Sequence, residues 1–73
     1  MKKYYYNFGY FFNRKDSGTL RIITNEFLNE NDIDECIIYA LKHKLIPEEY
    51  ADNIIYIEGI EENEAKEMGF DIN

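Results

Sequence analysis

Residues 4–12 read Tyr4-Tyr5-Tyr6-Asn7-Phe8-Gly9-Tyr10-Phe11-Phe12 and hold seven of the chain's twelve aromatic residues. Side chains two apart in a strand point to the same side of a sheet. Tyr4, Tyr6, Phe8, Tyr10 and Phe12 then share one wholly aromatic face, and Lys3, Tyr5, Asn7, Gly9 and Phe11 share a mixed one. A helix would scatter the aromatics around its axis and bury Gly9 in mid-element. Tyr and Phe favour strands, so the stretch predicts a β-strand with one face built for a core.

The next polar cluster, residues 13–18 (Asn-Arg-Lys-Asp-Ser-Gly), predicts a turn, with Asp16, Ser17 and Gly18 suited to turn geometry. Residues 19–24 (Thr-Leu-Arg-Ile-Ile-Thr) predict a second strand and hence a β-hairpin, with Glu26 and Phe27 as a candidate extension. Asp32, followed three residues later by Glu35, has the spacing of a helix capping box, and Asn31 is a competing cap. Ile33, Cys36, Ile37, Ala40 and Leu41 follow with the spacing of a single apolar stripe. Lys42, His43 and Lys44 suit the negative end of the helix dipole, and Pro47 closes the region. The spacing predicts a helix over residues 33–45. Residues 47–51 predict one helical turn with Pro at its first position. Residues 53–59 predict a third strand, and residues 61–68 a short helix capped by a left-handed Gly69, with Phe70 folding back over Ala65.

The order β-β-α-β-α predicts an α+β fold, a two-layer sandwich. Strands two and three, joined through a helix, are expected to run parallel with a right-handed crossover. The first strand then fits between them, antiparallel to both. The expected sheet is three-stranded in order 2-1-3, packed against one main helix, with a short C-terminal helix in addition. The whole of residues 1–73 reads as one small domain.

A chain this short has a small core and commonly leans on a disulfide, a metal or a partner subunit. One Cys excludes an internal disulfide, and one Cys with one His argues against a structural zinc site. Asn7, Gly9, Asn13 and Arg14 interrupt the N-terminal apolar run, and no small-residue cleavage site follows. No stretch approaches the ~18 apolar residues of a membrane span. With a single Cys, these features predict a soluble chain in a reducing, cytoplasmic setting.

Charge is divided unevenly. Residues 1–21 carry five bases (Lys2, Lys3, Arg14, Lys15, Arg21) and one acid, whereas residues 22–73 carry three bases and fourteen acids, within a net charge of −7. Such a balance disfavours nucleic acid and anionic membranes and favours basic protein surfaces. The predicted partner-binding carboxylates are Glu48, Glu49 and Asp52 before the third strand, and Glu61, Glu62, Glu64 and Glu67 on the last helix. A simple solvated face is the ordinary alternative. Paired carboxylates also serve acid–base chemistry or hold metals, but residues 29–35 lack the Gly and the distal Glu of a calcium loop. Cys36 and His43 lie seven residues apart on the helix, about 10 Å of rise, too far for a nucleophile and its base. The expectation is therefore no enzyme, no cofactor and no metal.

The mixed face of the first strand is the second candidate. Lys3, Tyr5, Asn7 and Phe11 are predicted as an exposed face for a homodimer or another protein, since Tyr and Phe are enriched in interface cores. Exposed aromatics on a central strand also stack on bases in sheet-based RNA binders, but those sit in basic surroundings, so single-stranded nucleic-acid binding ranks last. In size, acidity and lack of a catalytic set, the chain is similar to phage-encoded inhibitors of host-defence nucleases, anti-CRISPR proteins among them. The likeness implies an inhibitor or adaptor that docks a negative surface on a basic, nucleic-acid-binding partner.

Overall fold

The computed structural model describes residues 2–70. Its element order is β1 (Tyr4–Asn13), β2 (Asp16–Thr24), α1 (Ile33–Lys42), a 3-10 turn (Glu48–Asn53), β3 (Ile54–Ile60) and α2 (Glu62–Glu67). The three strands form a single sheet in the order β2-β1-β3, with β1 antiparallel to both neighbours. This is the α+β arrangement expected from the connection rules, with the aromatic strand at the centre.

The period-two pattern of β1 divides the core. On the even face, Tyr6 and Phe8 are buried together with Ile22 and Ile57 from the flanking strands, Cys36 and Ala40 from α1, and Leu28 and Ile46 from the connections. Tyr4, Leu20, Ile33, Tyr39 and Leu41 pack around them. At the far end of that face, the Tyr50 ring of the 3-10 turn stands edge-on to Tyr10 and Phe12, at 4.8 and 5.3 Å between centroids. Such pairs add about 0.5–1.5 kcal/mol beyond their buried area. α2 packs on the opposite face of the sheet. Its buried Ala65 and the following Phe70 join Tyr5, Ile23 and Ile60 in a second, smaller cluster.

The hairpin turn is tighter than its composition suggests. β2 begins at Asp16, and only Arg14 and Lys15 lie between the strands, because the Asn13 side-chain carbonyl accepts the Lys15 N–H at 2.8 Å. Gly18 sits within the strand opposite Tyr10, whose ring lies against it. At the other end, the Thr24 hydroxyl donates to the Glu26 carbonyl at 2.7 Å, so the strand stops there and does not run on to Phe27. A bulge between Gly9 and Tyr10 in the β1–β3 register leaves Ile55 without a cross-strand partner.

α1 starts at the expected cap: Asp32 Oδ1 accepts the Glu35 N–H at 3.2 Å. The reciprocal half of the box is replaced, because the Asp32 N–H donates to the Asn29 carbonyl. The helix stops at Lys42, three residues short of the expected end. Lys44 adopts a left-handed φ of 55°, the Lys44 N–H bonds to Leu41 O, and the Leu45 N–H bonds to Ala40 O. This is the Schellman pattern with a lysine where glycine is usual. It turns half-buried Leu45 and buried Ile46 back into the core. α2 ends in the same way, with Gly69 at φ 85°, Gly69 N–H to Lys66 O, and Phe70 N–H to Ala65 O at 2.9 Å.

Candidate functional site

The carboxylates singled out from the sequence fall into two separate groups. Glu48, Glu49 and Asp52 lie exposed on the 3-10 turn, which the Tyr50 ring anchors beside Tyr10 and Phe12 on the even face. Glu61, Glu62, Glu64 and Glu67 are exposed on α2, which sits on the odd face at the Tyr5 end. Tyr5 and Tyr10 are five residues apart along β1, which is ~17 Å of strand. The two groups therefore lie on opposite faces and toward opposite ends of the sheet. α2 buries only Ala65 among its own residues, so its carboxylates project outward around a single apolar contact. Between Glu58 and Glu67 the sequence holds five carboxylates and one lysine.

The mixed face is open over only part of its length. Lys3 and Phe11 are exposed, Phe11 to 45 %. Tyr5, at 4 %, is buried beneath α2, where Phe70 meets its ring edge-on at 5.9 Å. Burial first, and then the neighbouring Glu62 carboxylate, pushes the Tyr5 hydroxyl pKa up. Asn7 is also buried, at 5 %, and its Oδ1 finds no partner among the described residues. The burial of Tyr5 has no sign in the sequence, because it depends on where α2 lands. The Arg21 guanidinium, on the strand position facing Asn7, lies 5.6 Å from the centroid of the Phe70 ring. Farther along, the Tyr56 ring lies across Gly9, where any Cβ would collide with its Cε2, Cδ2 and Cζ. The Tyr56 hydroxyl reaches Thr19 Oγ1 at 3.4 Å. What remains open on this face is the region of Phe11 and Tyr56, with the bulged Ile55 beside it.

Cys36 is fully buried, and its thiol donates to the Asn29 carbonyl at 3.2 Å. Burial, followed by the charges of Asp32, Glu30 and Glu35, pushes its pKa up, which disfavours the reactive thiolate. His43 caps α1 and stacks on Tyr39 at 4.2 Å between ring centroids. Among the described residues, no group of three or more His, Cys, Asp or Glu side chains is placed to hold a metal, and no helix is long and apolar enough to cross a membrane.

The loop from Asn25 to Asp32 carries residues that sequence periodicity passed over. The Tyr6 hydroxyl accepts the Leu28 N–H at 2.7 Å and donates to the Leu28 carbonyl at 3.1 Å, so a core ring holds the loop at its middle. On either side of that anchor, Phe27 is 71 % exposed and stands edge-on to Tyr4 at 5.9 Å, and Glu30 Oε2 accepts the Gly59 N–H of β3 at 2.6 Å. The available signal is an aromatic residue stranded in an Asn- and Glu-rich loop. Comparison with protein-family models, curated proteins and solved structures finds no match to this chain.

Proposed function

We propose that the chain is a small acidic, non-catalytic protein-binding module, an inhibitor or adaptor that docks its carboxylates on a basic partner protein in the manner of phage anti-defence proteins. The observation that carries this reading is the outward projection of Glu61, Glu62, Glu64 and Glu67 from a helix whose own burial is confined to Ala65. Carboxylates crowded on one short element present closely spaced negative charge to Lys and Arg, much as a phosphate backbone does. A nucleic-acid-binding protein is the partner class with the matching surface.

The test begins with recovery and identification of the partner from the native cell, followed by binding of the purified pair. Raising salt from ~50 to ~300 mM shortens the screening length and weakens an exposed charge-driven contact. Reversal to Lys at Glu61, Glu62 and Glu64 is expected to abolish binding, and the same change at Glu48, Glu49 and Asp52 to weaken it less, because the two groups cannot reach one flat surface together. Binding indifferent to salt and to both sets of reversals would refute the reading.

A second reading, a homo-oligomer through the sheet, is favoured by the exposure of Phe11 and Tyr56 side by side on the mixed face. A standard stable interface buries ~800 Å² per partner, which this patch reaches only by recruiting the polar strand positions around it. Sedimentation over a range of concentrations decides it, with Phe11→Ser expected to yield a monomer. Tyr5→Ser is not a clean probe, since it would hollow the second cluster. A wild-type chain that is monomeric at high concentration removes this reading.

A further inference from the structure

Beside the exposed Phe27 runs a shallow groove of about 180 Å³, with Tyr4, Tyr6, Phe27, Glu30, Ile60 and Glu61 among its walls. It is smaller than the ~300–1,000 Å³ of an ordinary small-molecule site. Its dimensions suit a single long side chain. Its chemistry is equally narrow. Tyr4, Tyr6 and Phe27 give it an aromatic lining, and Glu30 and Glu61 add two carboxylates.

We infer that this groove receives an arginine or lysine side chain from a basic partner, arginine in preference. The inference rests on the acidic-docking reading and locates its specific contact. Four observations support a cation. Ring faces attract cations placed within ~6 Å of the centroid. The chain demonstrates this itself, since the Lys2 ammonium stands 5.4 Å from the centroid of the Tyr4 ring. Lys2 takes a face of Tyr4, whereas Phe27, edge-to-face with Tyr4 and 71 % exposed, keeps ring surface open to a planar group. Glu30 is held in place by the Gly59 N–H, yet a carboxylate has lone pairs to spare for a further donor. Glu61 faces solvent and adds a second negative charge at the same groove. Arginine is preferred because a planar guanidinium both stacks on an aromatic ring and pairs with a carboxylate, whereas lysine offers a compact, strongly hydrated charge. The apolar stem of either side chain would lie along Tyr4 and Ile60.

The groove depends on its loop. Phe27 and Glu30 flank Leu28, whose N–H and carbonyl are both bonded by the Tyr6 hydroxyl. The aromatic wall and the first carboxylate are thereby set before any ligand arrives.

The experiment uses the full chain, labelled with ¹⁵N, and the blocked peptide Gly-Arg-Gly-Arg-Gly, with the norleucine analogue as the uncharged control. The expected result is a saturable shift of the Phe27, Glu30, Gly59 and Glu61 amides with the arginine peptide only. Phe27→Ala should weaken binding ~2–5-fold, the worth of an exposed cation–π contact. Glu30→Gln combined with Glu61→Gln should weaken it further, and because glutamine can still accept from Gly59, that variant isolates charge from architecture. Shifts centred on α2 or the 3-10 turn, or groove shifts unchanged in both variants, overturn the groove while leaving acidic docking in place. No shift anywhere at millimolar peptide overturns the groove and counts against acidic docking as well.

Discussion

Replacing Tyr6 with Phe removes one oxygen atom from the core and two hydrogen bonds from the loop above it. The ring packing is kept, so the cost is almost wholly polar. The lost contacts are the 2.7 Å bond from the Leu28 N–H and the 3.1 Å bond to the Leu28 carbonyl. Each ordinary hydrogen bond contributes a net ~0.5–1.5 kcal/mol, and a buried group left unpaired costs ~1–3 kcal/mol. Leu28 keeps a little solvent access, so water can satisfy part of the loss. The expected destabilisation is ~2–3 kcal/mol, the sum of two bonds with partial rescue. Small domains carry roughly 0.05–0.15 kcal/mol per residue, which makes ~4–11 kcal/mol in all for a chain of this length. At ~4–8 °C per kcal/mol, Tm should fall by ~10–20 °C. Urea unfolding supplies the free energy, and amide exchange supplies the location: protection of the Leu28 N–H should collapse ahead of that of the Phe8 and Ile57 amides. A loss below ~0.5 kcal/mol, with Leu28 exchange unchanged, would mean that the hydroxyl does not hold the loop, and the preformed groove would lose its foundation.

Three further outcomes follow from local geometry. Lys44→Gly should raise stability by about 1 kcal/mol in urea titrations, because the left-handed φ at this position strains any residue with a Cβ, and Lys44→Ala should not share the gain. Gly9→Ala should cost ~1–3 kcal/mol by driving the Tyr56 ring off the strand, and the same change should be nearly neutral in a Tyr56→Ala background, a coupling that a double-mutant cycle measures. Stability should fall in alkali: burial, the largest cause in each case, pushes up the pKa of the Tyr5, Tyr6 and Tyr50 hydroxyls above 10.0 and of the Cys36 thiol above 9.0. Each group is neutral when protonated, and the unfolded chain releases these protons first. The native state therefore binds more protons in that window, and stability, fully present below the unfolded values, declines as pH rises through the folded ones. Urea midpoints should be level up to about pH 8 and drop by about pH 10.5, with a smaller drop in Tyr6→Phe.

The parts of the fold that could be read in advance are those governed by local periodicity or by connection rules. β1 declares itself because its aromatics alternate, and the crossover rule makes strands two and three parallel, an arrangement that order 2-1-3 fits with β1 between them. The Gly69 cap is legible because glycine is the residue that position favours. Lys44 occupies the same backbone position and gave no warning, since the force that bends the chain there is the burial of Leu45 and Ile46, which is tertiary. Asp16, Ser17 and Gly18 resemble a turn, yet the turn is made by the Asn13 side chain and Gly18 instead gives room to the Tyr10 ring. The candidate site was less legible than the fold. The acidic residues were visible as charge, but their division between two faces depends on α2 packing behind the sheet and not beside α1. The Phe27 groove draws on β1, β3 and the loop between β2 and α1, and no window of sequence contains all three.

The hydrogen bond from the Gly59 N–H to Glu30 also bears on how large this sheet can grow. β3 is an outer strand, and a new strand, from another copy or from a misfolded neighbour, would have to claim that amide to pair along it. It would be offering a neutral carbonyl against an ionised carboxylate, and charge-assisted bonds are roughly twice as strong as neutral ones. At that rung the side chain of Glu30 acts as a stopper, and a chain rich in Tyr, Phe and Ile is protected there from zipping into longer ribbons.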